Sequence, residues 1–93
     1  MEYDNKRSRV LAEAMDLINK TRQSEYGPPA ENFKRIADGW SVIFGGQTVT
    51  AEQVALAMAW LKIARICGDG KASDDSYVDA AAYMALAAEL SEC

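Results

Sequence analysis

The sequence predicts an all-α fold of four helices, and three observations carry that prediction. Apolar residues recur at spacings of three and four along four separate stretches, most Gly and both Pro lie between those stretches, and nothing alternates apolar with polar in the period of a strand. The 93 residues make one domain, 1–93. A chain of this size buries roughly 60 to 65% of its unfolded surface, enough for a single core.

The first helix is an amphipathic one over about 4–20, within an N-terminal segment 1–21, where Val10, Leu11, Ala14, Met15, Leu17 and Ile18 recur with charges between them. A loop over 21–29 follows, in which Gly27 suits a positive φ and the Pro28-Pro29 pair cannot continue a helix. The second helix starts at Pro29 or Ala30, lines up Phe33, Ile36, Ala37, Trp40, Ile43 and Phe44, and stops at Gly45-Gly46. Thr50 and Gln53 have capping-box spacing for the third helix, which runs to about Cys67. Being apolar nearly all round, this third helix is expected at the centre, with Trp60, like Trp40, in the core. The fourth helix, about 74–92, carries Ala80, Ala81, Ala82, Ala85, Ala87 and Ala88, small side chains that let neighbouring backbones approach. Its alanine content and the all-round apolarity of the third helix together predict a homo-oligomer.

Ten Lys and Arg against 14 Asp and Glu give a net charge of −4, which argues against a surface that coats a nucleic-acid polymer. The N-terminal MEYDNKRSRV has no signal-peptide apolar run. Nor does any segment reach the roughly 20 apolar residues of a membrane span, so a soluble, cytoplasmic protein is expected. Cys67 and Cys93 do not read as a disulfide framework. There is no histidine, so any metal would be a hard, oxygen-bound ion such as magnesium.

Lys62 and Arg65 are the two cations in the apolar run 54–67, where a buried charge needs a partner or a ligand. Turn residues over 67–73 predict that the third and fourth helices form an antiparallel hairpin, whose register sets Arg65 opposite Asp75 and Lys62 opposite Asp79. Two readings fit these four side chains. One is a structural ladder of ion pairs. The other is a polar pocket whose cations hold phosphate oxygens while the carboxylates hold magnesium or a ribose hydroxyl. Asn32, on the inner stripe of the second helix, either caps that helix or contacts a ligand. The loop RQSEYG brings Arg22, Tyr26 and Gly27 before a helix N-terminus, a place that attracts anions. Asp74 and Asp75 also fit a simple helix cap.

The combination RQSEYGPPAENFKRIADGW, TAEQVALAMAWLKIAR and DDSYVDAAAYMALAAE resembles small phage and prophage proteins related to the MazG-like, all-α nucleoside triphosphate pyrophosphohydrolases. It spans about 22–89. The most specific parts are Tyr26-Gly27, Asn32-Phe33, LKIAR from Leu61 to Arg65, and the spaced Asp75, Asp79 and Tyr83. The resemblance implies a four-helix bundle that assembles through helix packing, with a magnesium and nucleotide site built from Glu-x-x-Glu on one helix and Glu-x-x-Asp on the next. Here Lys62 and Arg65 stand where two glutamates are expected, and of the second motif only Asp79 remains.

Two functions follow as expectations. The first is a binding module, acting in the cytoplasm of an infected or lysogenic bacterium, that captures a phosphorylated nucleotide, such as a second messenger of host defence, without hydrolysis and without a required cofactor. Its ligand-binding residues would be Lys62, Arg65, Arg22, Tyr26, Gly27, Asn32, Asp75, Asp79 and Tyr83. The alternative is a pyrophosphohydrolase whose magnesium is held by Asp75 and Asp79, with Glu31 or Glu52 recruited. A helical interaction protein whose ladder is purely structural is a third possibility.

Overall fold

The computed structural model describes residues 5–22, 27–68 and 74–92, side chains of 21 and 22 excepted. Among these residues there are four helices and no strand. Helix α1 spans Lys6–Asp16 and opens on Asn5, whose side-chain oxygen accepts a hydrogen bond from the Ser8 backbone N–H at 2.9 Å. It continues as a π-helical turn over Leu17–Arg22, which ends two residues into the segment that the sequence suggests as a loop. A π-turn takes in an extra residue. Leu17 and Ile18, neighbours in the chain, here both pack inward, and Ile18 touches both clusters of the core.

Helix α2 spans Pro29–Ile43, with proline in its first turn, where a missing N–H costs nothing, and Glu31 near its positive end. Gly27 has a φ of 77°, as the turn before the prolines requires. At the other end Gly45 and Gly46 take φ values of 75° and 87°, and the Gly46 N–H donates to the Ser41 carbonyl at 2.8 Å, which closes the helix. The Ser41 hydroxyl donates to the Ala37 carbonyl at 2.8 Å and accepts from the Val49 N–H at 2.9 Å, fastening the following loop to α2.

Helix α3 spans Ala51–Gly68 behind the capping box read from the sequence. The Gln53 N–H donates to Thr50 Oγ1 at 3.1 Å and the Thr50 N–H to Gln53 Oε1 at 2.9 Å. Helix α4 spans Asp74–Leu90. It lies antiparallel to α3, with Val54 and Ala55 packed in one cluster with Leu86 and Ala87 towards one end, and Lys62 against Asp79 towards the other.

The hub of the fold is α4, not α3. Among the described residues, helices α1, α2 and α3 all pack on α4, whereas α3 meets only α2 and α4. Alanine explains this: Ala82 and Ala87 are buried on different sides of α4, Ala82 with Ala14 of α1 and Ala87 with Phe33, Ala37, Val54 and Ala55 of α2 and α3. Short side chains let several backbones close on one helix. The expectation of a third helix buried on every side is overturned. Leu56, Trp60, Leu61 and Ile63 are exposed, Trp60 to 69%, so its indole is not a core residue. Trp40 is half-buried, packs on the core and meets Phe44 edge to face at 6.4 Å. No helix is long and apolar enough, among the described residues, to cross a membrane.

Candidate functional site

Lys62 and Asp79 meet in the hairpin as the register predicts. Lys62 Nζ lies 3.2 Å from Asp79 Oδ2, and the two side chains are 15% and 31% exposed. The low exposure of Lys62 follows from its place: its stem lies in the α3–α4 contact, so only the ammonium reaches a polar partner. One turn along α4, the half-buried Tyr83 ring meets the fully buried Phe33 ring of α2 edge to face, with centroids 6.4 Å apart and planes at 90°. The ion pair is therefore followed along α4 by an aromatic contact that reaches across to α2. Asn32, adjacent to Phe33, is half-buried. It does not cap α2, because the cap position is Pro28 and no side chain bonds there.

The second rung does not form. Arg65 and Asp75 are both exposed and no ion pair joins them. They sit at the open end of the hairpin, in the last turn of α3 and the first of α4, where hydrated charges gain little by pairing. Gly27 stands where its turn was expected, while Tyr26 and the side chain of Arg22 lie outside the described residues, as do 69–73 and Cys93. Cys67 is a free, exposed thiol.

A magnesium centre needs several carboxylate oxygens converging. Among the described residues no three acidic or cysteine side chains gather. Asp79 is already held by Lys62, and among the described residues neither Glu31 nor Glu52 joins it and Asp75 in such a group. This arrangement does not fit the ion.

Sequence reasoning missed one cluster. Asp74, read as a helix cap, instead receives two cations from α1: Lys6 Nζ at 2.9 Å from Oδ1 and Arg9 at 3.0 Å from Oδ2. The signal was the spacing of Lys6 and Arg9, three apart on one helix face. The hydrogen bond from Lys6 holds the Asp74 carboxyl below its usual 3.8 against the opposing effect of desolvation, and the charges of Lys6 and Arg9 add to the lowering. A depressed carboxyl stabilises the fold above its unfolded pKa and loses that contribution as pH falls through its folded value. The stability difference between the native chain and Asp74→Asn should accordingly be present at neutral pH and shrink below about pH 3.8. Thermal melts at several pH values check this, and a difference that does not change with pH would mean that the clamp does not hold α1 to α4. Beside it, Lys6, Arg7, Val10, Leu11 and Tyr77 line an open groove of about 560 Å³ between α1 and α4.

An all-helical domain built on an α3–α4 hairpin, with one shielded Lys-Asp pair inside the contact, defines the class. A family model described as a domain of unknown function, DUF6378, matches residues 9–91, and the chain belongs to that family. Its curated relatives are phage proteins. The chain is 39% identical over 77 residues to the Gene 55 protein of Mycobacterium phage L5, covering 83% of this chain and 49% of that protein. It is 40% identical over 77 residues to the Gene 55 protein of Mycobacterium phage D29, covering 80% and 48%. The chain thus spans about half the length of the curated relatives it matches. No solved structure matches it.

Proposed function

We propose that this chain is a MazG-like phage protein that captures a phosphorylated nucleotide without hydrolysing it. The observation that carries the reading is Lys62, a cation kept at 15% exposure inside a helix contact, where the resemblance to pyrophosphohydrolases calls for a carboxylate. A cation there meets a phosphate directly, whereas it competes with a divalent metal. Asp79 then either stays on Lys62 or turns to a ribose hydroxyl, and Tyr83 and Asn32 supply further polar groups along the same side of α2 and α4. Arg65, exposed one turn on, adds a second charge for a ligand that carries several phosphates. Asp75, Arg22, Tyr26 and Gly27 complete the set of binding residues. The ligand class in this reading is a second messenger of host defence, met in the cytoplasm of an infected or lysogenic cell, with the protein as a homo-oligomer.

The test has two arms. Native mass spectrometry of the protein purified from bacterial cells should show a retained nucleotide mass that persists after chelation of divalent metal. Nucleoside triphosphates incubated with the protein and magnesium or manganese should release little or no pyrophosphate. Steady turnover that disappears in Asp79→Ala would overturn the reading in favour of a hydrolase using Asp75 and Asp79. The Lys62–Asp79 pair itself favours one further reading, a purely structural strut, and stability separates the two.

A further inference from the structure

We propose that the outer face of the α3–α4 hairpin is a self-association surface, and that two copies of this chain pack these faces together about a two-fold axis. Leu56, Trp60 and Ile63 recur on α3 at the spacing of one helical stripe, and Tyr77 and Met84 do the same on α4, with Ala81 and Ala88 between and beyond them. All five large side chains are exposed, from 36% at Ile63 to 69% at Trp60. Leu56 stands two residues from Val54, and Met84 two from Leu86, each about 200° round its helix. Since Val54 and Leu86 pack with Phe33 and Ala37 of α2, both stripes lie on the side of the hairpin away from α2, and together they make one continuous apolar face. Tyr77 also lines the α1–α4 groove, so the face runs on to Val10 and Leu11.

Three observations name a second copy as the occupant. The first is area. The chain exposes 6498 Å², while a folded monomer of 10.2 kDa is expected to expose about 5,300 Å². The excess of about 1,200 Å² exceeds the roughly 800 Å² that each partner contributes to a standard interface. The second is shape. A radius of gyration of 14.4 Å, with extents of 47 × 30 × 22 Å, exceeds the roughly 12 Å of a compact chain of this length. A hairpin with its core on one face only has that shape. The third is charge. No stripe residue is charged, although the chain carries a net −4. A neutral face is where two copies of an acidic chain meet without repulsion, and it offers nothing to a basic or acidic partner. A two-fold contact also asks only that the face be complementary to itself.

The interface does not rest on nucleotide capture, and in the dimer each Lys62–Asp79 pair stays within its own hairpin. Sedimentation of the full chain at micromolar concentration should give twice the 10.2 kDa mass. Trp60→Glu should weaken association at least about thirtyfold, the usual minimum for a hot-spot residue. Helical circular dichroism should be retained, because an indole 69% exposed supports little of the protomer's own core. Met84→Glu tests the same face from α4. A native chain that sediments as a monomer would overturn the proposal. So would a dimer that survives both variants, since the contact would then lie elsewhere, as at the exposed Val42, Ile43 and Phe44 end of α2.

Discussion

Phe33→Ala should lower the stability of this chain by about 3 to 5 kcal/mol, the cost of emptying a fully buried aromatic site. Phe33 has no exposed surface, sits with Val54, Ala55, Leu86 and Ala87, and carries the ring contact to Tyr83. A domain of this length has roughly 5 to 14 kcal/mol in all, so one substitution removes about a fifth of the margin or more. The melting temperature should fall by at least about 12 °C. Thermal unfolding followed by circular dichroism measures it. A loss below about 1 kcal/mol would mean that α2 is not seated on the α3–α4 hairpin.

Lys62→Met should lower affinity for the nucleotide retained by the purified protein at least tenfold, about 1.4 kcal/mol, while costing only about 1 kcal/mol in stability. The geometry decides the second figure. Truncating one member of a wholly buried pair costs on the order of 3 to 5 kcal/mol because the other charge is stranded. Asp79 is 31% exposed and can be rehydrated when Lys62 leaves. Lys62→Met, Asp79→Leu and the double variant form a cycle whose coupling energy isolates the pair. Melts and binding titrations on the same three proteins separate site from strut. Large stability losses that rescue each other, with unchanged affinity, would rule out the binding role.

The hairpin and its polar rung were legible because periodicity and turn residues fix a register, and a register fixes which side chains face each other. Lys62 and Asp79 were found that way. Caps were legible too, since Thr50 with Gln53 and the paired glycines after Phe44 act within a few residues. Two things were not. Periodicity shows that a face is apolar but not whether anything covers it, so α3 read as central when one of its stripes is bare. The π-turn at the end of α1 was hidden as well, because Leu17 and Ile18 fit an ordinary helical period until the packing of Ile18 against both clusters is known. At the site, the register pairs Arg65 with Asp75 just as it pairs Lys62 with Asp79, although only Lys62 lies deep enough in the hairpin to be shielded. Both cations have the same charge and similar neighbours, and they differ in distance from the helix end.

The alanines on which α4 gathers its three neighbours leave the chain with an uneven tolerance for substitution. Ala82 and Ala87 are 4% and 2% exposed and already near the lower limit of side-chain size. At those positions nearly every replacement adds atoms, and overpacking of that kind costs roughly 1 to 3 kcal/mol through displaced backbones. A leucine such as Leu86 has smaller and equal-sized alternatives on hand, so its neighbourhood can drift by compensating changes. The hub cannot. Room for sequence variation in this fold therefore lies on the outside of its helices, and the helix with the plainest composition is the one with the least freedom to change.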